Sequence, residues 1–249
     1  MTLPEVCLDD IEGAIAADRR GADRIELCAG LIEDGTTPSL GTVQTVLGLV
    51  RRVGVQVLIR QRGGDFVFSD DEIDAMCADI EAIRASAVPS GVRLGFVIGA
   101  LAPDGTVDRD ATARMLAACG DAPVTFHKAF DSTPELDDAL DTLIDLGVGR
   151  VLTSGGAPSA VDGAEALARI VTRAAGRIGI LAAGGIRPHN VAEVVARTGV
   201  NEVHLRAAAP IASRDRRSDA PAGLEATGAH TRLATSPEMI DDMLLALHR

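Results

Sequence analysis

Val53-Gly-Val-Gln-Val-Leu-Ile59 runs into Arg60-Gln-Arg-Gly-Gly-Asp-Phe66 and then into Ser69-Asp-Asp-Glu72. The first segment is an apolar run of strand length, the second a charged, glycine-bearing loop, and the third a capping box that opens a helix. After it Ile73, Met76, Cys77, Ile80 and Ile83 fall at helical spacing, which reads Cys77 as core. The same unit recurs along the chain. Short runs rich in Val, Ile and Leu stand near 4–8, 24–28, 55–60, 92–98, 123–127, 149–153, 178–182 and 202–206, with helical segments between them. One helix is expected to start at Thr133 with Pro134 in its first position, to bury Leu136, Leu140 and Leu143, and to stop at Gly147. The last follows Ser236-Pro237, with Met239, Met243 and Leu247 on one face.

Eight βα units without a composition break predict a closed (β/α)8 barrel, the TIM-barrel fold, as a single domain over residues 1–249. A doubly wound open sheet is the competing architecture, but no GxGxxG follows the first strand. The stretch Ala207–Thr235 is longer than an ordinary βα loop and is expected to be partly irregular, as a lid or a wrapped tail.

Strand side chains alternate between the barrel interior and the helix layer. Assigning Val6, Leu8, Ile25, Leu27, Val57, Ile59, Val124, Phe126, Val203 and Leu205 to the helix side turns Glu5, Cys7, Glu26, Cys28, Arg60, Thr125, His127, Glu202, His204 and Arg206 inward. A barrel interior is ordinarily filled by branched apolar side chains, so these charges must pair, stay hydrated or serve a ligand. Ion pairing for its own sake is the plainer explanation, yet catalytic groups of such barrels sit at strand carboxyl ends. Arg60 and Arg62 are planar cationic forks suited to carboxylate or phosphate, and Gly63-Gly64 lets backbone N–H groups approach closely.

Hydrophobic residues make up 47% of the chain and charged residues 24%, ordinary globular proportions, but aromatics are only 2% with no Trp or Tyr. That removes the stacking platforms of single-strand and RNA readers. A net charge of −12 repels phosphate backbones and anionic lipid, so neither nucleic acid nor membrane is an expected partner. The first residues hold Glu5, Asp9, Asp10 and Glu12 and no apolar leader, and Leu94–Ala102 falls far short of the ~20 residues of a membrane span, which points to a cytoplasmic protein. Cysteines 7, 28, 77 and 119 show no CxxC spacing and read as reduced thiols.

Gly21-Ala-Asp-Arg-Ile-Glu-Leu-Cys28, Gly35-Thr-Thr-Pro-Ser39, Arg60-Gln-Arg-Gly-Gly-Asp-Phe66, Thr125-Phe-His-Lys-Ala-Phe-Asp131, Leu152-Thr-Ser-Gly-Gly156 and Ala183-Gly-Gly-Ile186 together resemble the CutC family, whose members are (β/α)8 barrels, over essentially the whole chain. Four positions depart from that family's pattern. Its Arg-Pro-Arg is here Arg60-Gln61-Arg62, its His-Arg is His127-Lys128, its Gly-Gly after strand 2 is Gly35-Thr36, and its His-x-Ser is His204-Leu-Arg206. Lys128 keeps the charge but loses the bidentate fork, and Arg206 puts a bulky cation where a hydroxyl is usual.

Two functional classes follow. The resemblance implies copper(I) binding and cytosolic copper homeostasis, and a soft ion takes thiolates, with Cys28 the first candidate, Cys7 on the next strand and His127 nearby. Against it, a buried cysteine is more often a small core residue than a ligand. The other class is catalysis on a small anionic molecule by a lyase or isomerase. There Glu26 and His127 divide base and acid roles with Arg60, while Arg60, Arg62, Gly63, Gly64, Lys128, Gly155, Gly156, Gly184, Gly185, His204 and Arg206 receive the anion. No lysine occupies an interior strand position, which disfavours a Schiff base, and no organic cofactor is indicated. The expected partner is a small anion or a copper ion, and a homo-oligomer stays open.

Overall fold

The computed structural model describes residues 2–212 and 231–247. Strands β1 (Leu3–Leu8), β2 (Arg24–Leu27), β3 (Gly54–Leu58), β4 (Leu94–Ile98), β5 (Val124–Phe126), β6 (Arg150–Thr153), β7 (Gly179–Ala182) and β8 (Glu202–Arg206) pair in parallel in chain order, and β8 closes on β1. Around them lie α1 (Ile11–Arg20), α2 (Leu40–Leu49), α3 (Asp70–Arg84), α4 (Arg109–Cys119), α5 (Leu136–Asp145), α6 (Ala164–Ala174), α7 (Val191–Thr198) and α8 (Pro237–Leu247). This is the (β/α)8 barrel that the alternation predicts.

Local chemistry sets the helix ends. Asp10 accepts from Gly13 N–H to start α1, and Gly21 ends it at φ 88°, a left-handed turn that a Cβ would strain. Ser69 and Glu72 form the reciprocal capping box of α3, whose Ile73, Met76, Ile80 and Ile83 are buried while Cys77 sits half-buried at the edge of that face. The helix expected from Thr133 begins instead at Leu136. Pro134 forces Thr133 into extended backbone, ψ 147°, and a 3-10 turn over Lys128–Ser132 precedes it, so Leu136 is only partly buried. The ends of the stretch expected to be irregular are regular: β9 (Ala208–Ala212) and β10 (Thr231–Thr235) form an antiparallel pair that leads into α8. The lid or tail reading falls on 213–230, outside the described residues.

Parity holds in every strand for which it was assigned. Val6, Ile25, Val57, Phe126 and Leu205 pack with the helices in one core, while Cys7 and Cys28 join Leu58 and Val97 in a separate interior cluster. Below that cluster the interior is ionic. Glu5, fully buried, is paired with Arg24 and lies 2.8 Å from His204 Nδ1. Arg24 reaches Glu202 at 2.6 Å, and Arg150 meets the same carboxylate at 2.6 Å and Thr125 Oγ1 at 3.1 Å.

Taking such ions from water costs several kcal/mol each, and the lattice offsets that only while every member is present. Arg24→Met therefore leaves Glu5 and Glu202 under-paired, and we expect a loss of ~3–5 kcal/mol in urea unfolding. Arg197→Met, which breaks the exposed Glu193–Arg197 helix pair, should cost a small fraction of that. Equal effects would mean that the interior lattice is solvated.

Candidate functional site at the barrel mouth

The strand carboxyl ends open into a cavity of about 260 Å³ whose walls include Cys7, Glu26, Asp34, Arg60, Phe66, His127, Lys128, Gly184 and His204. Glu26, Arg60 and His127, expected to cluster, thus face one space. β1, β2 and β8 supply its floor. There Cys7, Glu26 and His204 bring one donor atom each within 4.8 Å of one another, and Cys28 Sγ stands 3.9 Å from Cys7 Sγ. The sequence favours Cys28 as the thiolate, whereas the geometry gives the position beside histidine and carboxylate to Cys7.

Electrostatics divide the floor into charged and neutral groups. The Cys28 hydrogen bond lowers the Cys7 thiol to about 5 against the opposing effect of burial, with His204 assisting, so Cys7 is the more acidic thiol of the pair. Cys28, which shares that bond and is buried, is pushed well up and stays a thiol. Glu26 is also raised well above the carboxylate range, by burial and by the Cys7 charge. Burial opposes the charged forms of Glu5 and His204. It is outweighed at Glu5 by the His204 hydrogen bond and the Arg24 charge, to about 2, and at His204 by hydrogen bonds to Cys7 and Glu5, which raise it well above its ordinary value.

Arg60 is 4% exposed and is held by main-chain oxygens: Nη1 donates to Glu33 at 3.0 Å and Gly35 at 2.9 Å, and Nη2 to Gly64 at 2.7 Å. Its Cζ lies 5.0 Å from the Phe66 ring centroid, and its Nε has no partner. Among the described residues no carboxylate comes within ion-pair distance of it. Gly64, at φ 83°, thus supplies a carbonyl to Arg60, while Gly63 packs on Glu33.

His127 is the N-cap of the 3-10 turn, its Nδ1 accepting from Ala129 N–H at 3.1 Å. The ring proton is therefore on Nε2, which is buried with no acceptor. Burial, then the Arg60 charge, lowers this imidazole to about 3, so it is a neutral donor at physiological pH rather than a base. Gly99 is required beneath it, because a Cβ there would enter the imidazole ring.

Other expected residues are engaged elsewhere. Arg62 turns from the cavity to Glu72 at 2.7 Å and Asp65 at 3.2 Å, over Phe68. Gly155 N–H donates to Thr153 and Gly156 N–H to Asp131, which also accepts from Ser154. Gly184 lines the cavity, Gly185 follows it, and Arg206 lies in register with Cys7 with its Nε unpartnered. Sequence reasoning missed Asp131 as the brace of the β6 loop, Asp34 and Phe66 as wall residues, and Arg24 and Arg150 as interior cations. The two arginines were legible by parity, since Arg24 shares the face of Glu26 and Arg150 that of Leu152.

Comparison with known proteins places this geometry among relatives. The CutC family model matches residues 2–209. A Homo sapiens copper homeostasis protein cutC homolog is 45% identical over 205 residues, 82% of this chain and 73% of that protein. A CutC family protein of Mesorhizobium japonicum is 43% identical over 224 residues, 90% and 84% of the two chains. The crystal structure of the Streptococcus agalactiae CutC protein superposes with a TM-score of 0.73 at 30% identity, covering 82% of this chain and 98% of that one.

A neutral buried histidine has a sign-definite effect on stability. With a folded value near 3 and an ordinary unfolded value near 6.5, the unfolded chain takes up the proton first, so this contribution is complete above pH ~6.5 and declines as pH falls toward 3. His127→Asn removes it. Urea unfolding at pH 7 and pH 4 should show the variant losing less stability on acidification than wild type, by on the order of 3 kcal/mol. Parallel losses would mean that His127 titrates normally.

Proposed function

Because this chain belongs to the CutC family, and relatives in it are named for copper homeostasis, we propose that it binds copper(I) on the barrel floor and serves copper homeostasis. Cys7 is the primary ligand, with Cys28 and His204 completing the set. The observation that carries this is the convergence of Cys7, Glu26 and His204 donor atoms within 4.8 Å.

The donor set fits the ion. Thiolate and imidazole suit copper, and soft sulfur selects Cu(I). Two cysteine sulfurs on one tetrahedral metal at ~2.3 Å stand about 3.8 Å apart, close to the 3.9 Å between Cys7 and Cys28 Sγ, and binding the ion would displace the Cys28 proton. With His204 Nδ1 bonded to Glu5, Nε2 is left toward Glu26 and Cys7, the carboxylate–histidine arrangement that orients a metal-binding imidazole. Glu26 is a harder donor, and its raised affinity for a proton makes it a neutral neighbour of the site rather than a fixed anion.

Copper(I) affinity, measured anaerobically by competition with a chromophoric chelator, should fall ~100-fold, about 3 kcal/mol, in Cys7→Ser. Glu5→Gln, which keeps both metal-facing sulfurs but removes the charge that orients His204 and pairs with Arg24, should cost ~10–100-fold. Cys119→Ser, in α4 and outside the barrel interior, is the control that should leave affinity unchanged. Wild-type affinity in Cys7→Ser would remove the floor cluster as the copper site.

A further inference from the structure

Above the floor the cavity carries a second set of groups that copper does not use. Arg60 is a buried cation with backbone carbonyls but no carboxylate as partners among the described residues. Lys128 lines the same space from the 3-10 turn after β5 and makes no ion pair with the described residues. Arg60 Nε and His127 Nε2, whose side chains both lie against the Phe66 ring, are buried donors without acceptors. Across the barrel, at the end of β7, Gly184 lines the cavity, and the N–H groups of Gly184 and Gly185 donate to none of the described residues.

Every unmet group in this inventory is a cation or an N–H. Of the acids in the lining, Glu26 lies beside His204 on the floor, which leaves Asp34 alone against Arg60 and Lys128. A buried cation whose carboxylate neighbours, Asp34 and Glu33, stay beyond ion-pair distance, and buried donors without acceptors, each cost free energy, and a bound anion lowers both costs at once. We propose that the upper cavity is a binding site for a small oxyanion-bearing molecule, a phosphate or carboxylate compound, held between Arg60 and Lys128 on one side and the Gly184–Gly185 main chain on the other, with His127 donating to it.

The volume sets the size class. About 260 Å³ lies just below the ~300–1,000 Å³ of sites for drug-sized ligands, so the occupant is a small acid or a short phosphomonoester rather than a nucleotide. Lys128 is a point charge on a flexible stem, which suits a rounded oxyanion better than one fixed planar carboxylate. This site is independent of copper, and its test uses metal-free protein so that failure of either reading is seen separately.

Chelator-treated full-length protein would be titrated with inorganic phosphate, glycerol 3-phosphate and malonate, each against sodium chloride of equal ionic strength. Thermal unfolding and amide NMR would be followed together. We expect at least one of the three to raise the melting temperature and to shift the Gly184 and Gly185 amide signals, and which one does so separates a phosphate from a carboxylate source. Lys128 is exposed, so Lys128→Gln folds normally, and in it the apparent Kd should weaken at least tenfold. Absence of stabilisation by all three anions overturns the proposal. So does an anion that binds Lys128→Gln as tightly as wild type, or one that binds without moving Gly184 and Gly185.

Discussion

The carboxylate of Glu5 is shared between Arg24 below it and His204 above it, and the barrel interior is organised around that sharing. With no exposure of its own, Glu5 exists as an anion only because both partners are in place. Downward, Arg24 links it to Glu202 and Arg150, so four strands are tied by charge where most barrels use branched hydrocarbon. Upward, it fixes the His204 ring, and that ring meets Cys7 and Glu26. One buried ion pair thus both closes the bottom of the barrel and aims the floor of the site.

The mouth follows a different rule. Arg62 pairs with the carboxylates of Glu72 and Asp65, and Arg60 does not follow it. Instead three carbonyls from two loops take its N–H groups, which positions the guanidinium without neutralising it. The net charge of −12 makes this local excess of positive charge more distinctive, because it focuses field into one cavity of an otherwise acidic molecule. His127 lies in the same cavity and is kept neutral first by its burial and then by the Arg60 charge, so it presents a proton-bearing nitrogen to that space.

The two halves of the site are stacked along the barrel axis. Soft sulfur and an oriented imidazole form the floor, and hard cations with main-chain donors form the walls. Separate strands build them: β1, β2 and β8 the floor, β3, β5 and β7 the walls.

What the sequence determined by itself was the barrel and its inside. Period-two alternation assigns Glu5, Cys7, Glu26, His127 and His204 to the interior, because a strand cannot move one side chain across the sheet without moving all of them. The capping box at Ser69 and the glycine after α1 were equally local, and legible for that reason. Tertiary structure alone decided the partners. Whether an inward arginine ends on a carboxylate, as Arg24 does, or on carbonyls, as Arg60 does, depends on residues 19 and 178 positions away for Arg24 and up to 27 for Arg60. The same is true of Cys7 taking precedence over Cys28, since only closure of β8 against β1 brings His204 to its side. Alternation reports which face a residue occupies. Charge state and partnership are properties of the distances between faces, and those exist only once the barrel has closed.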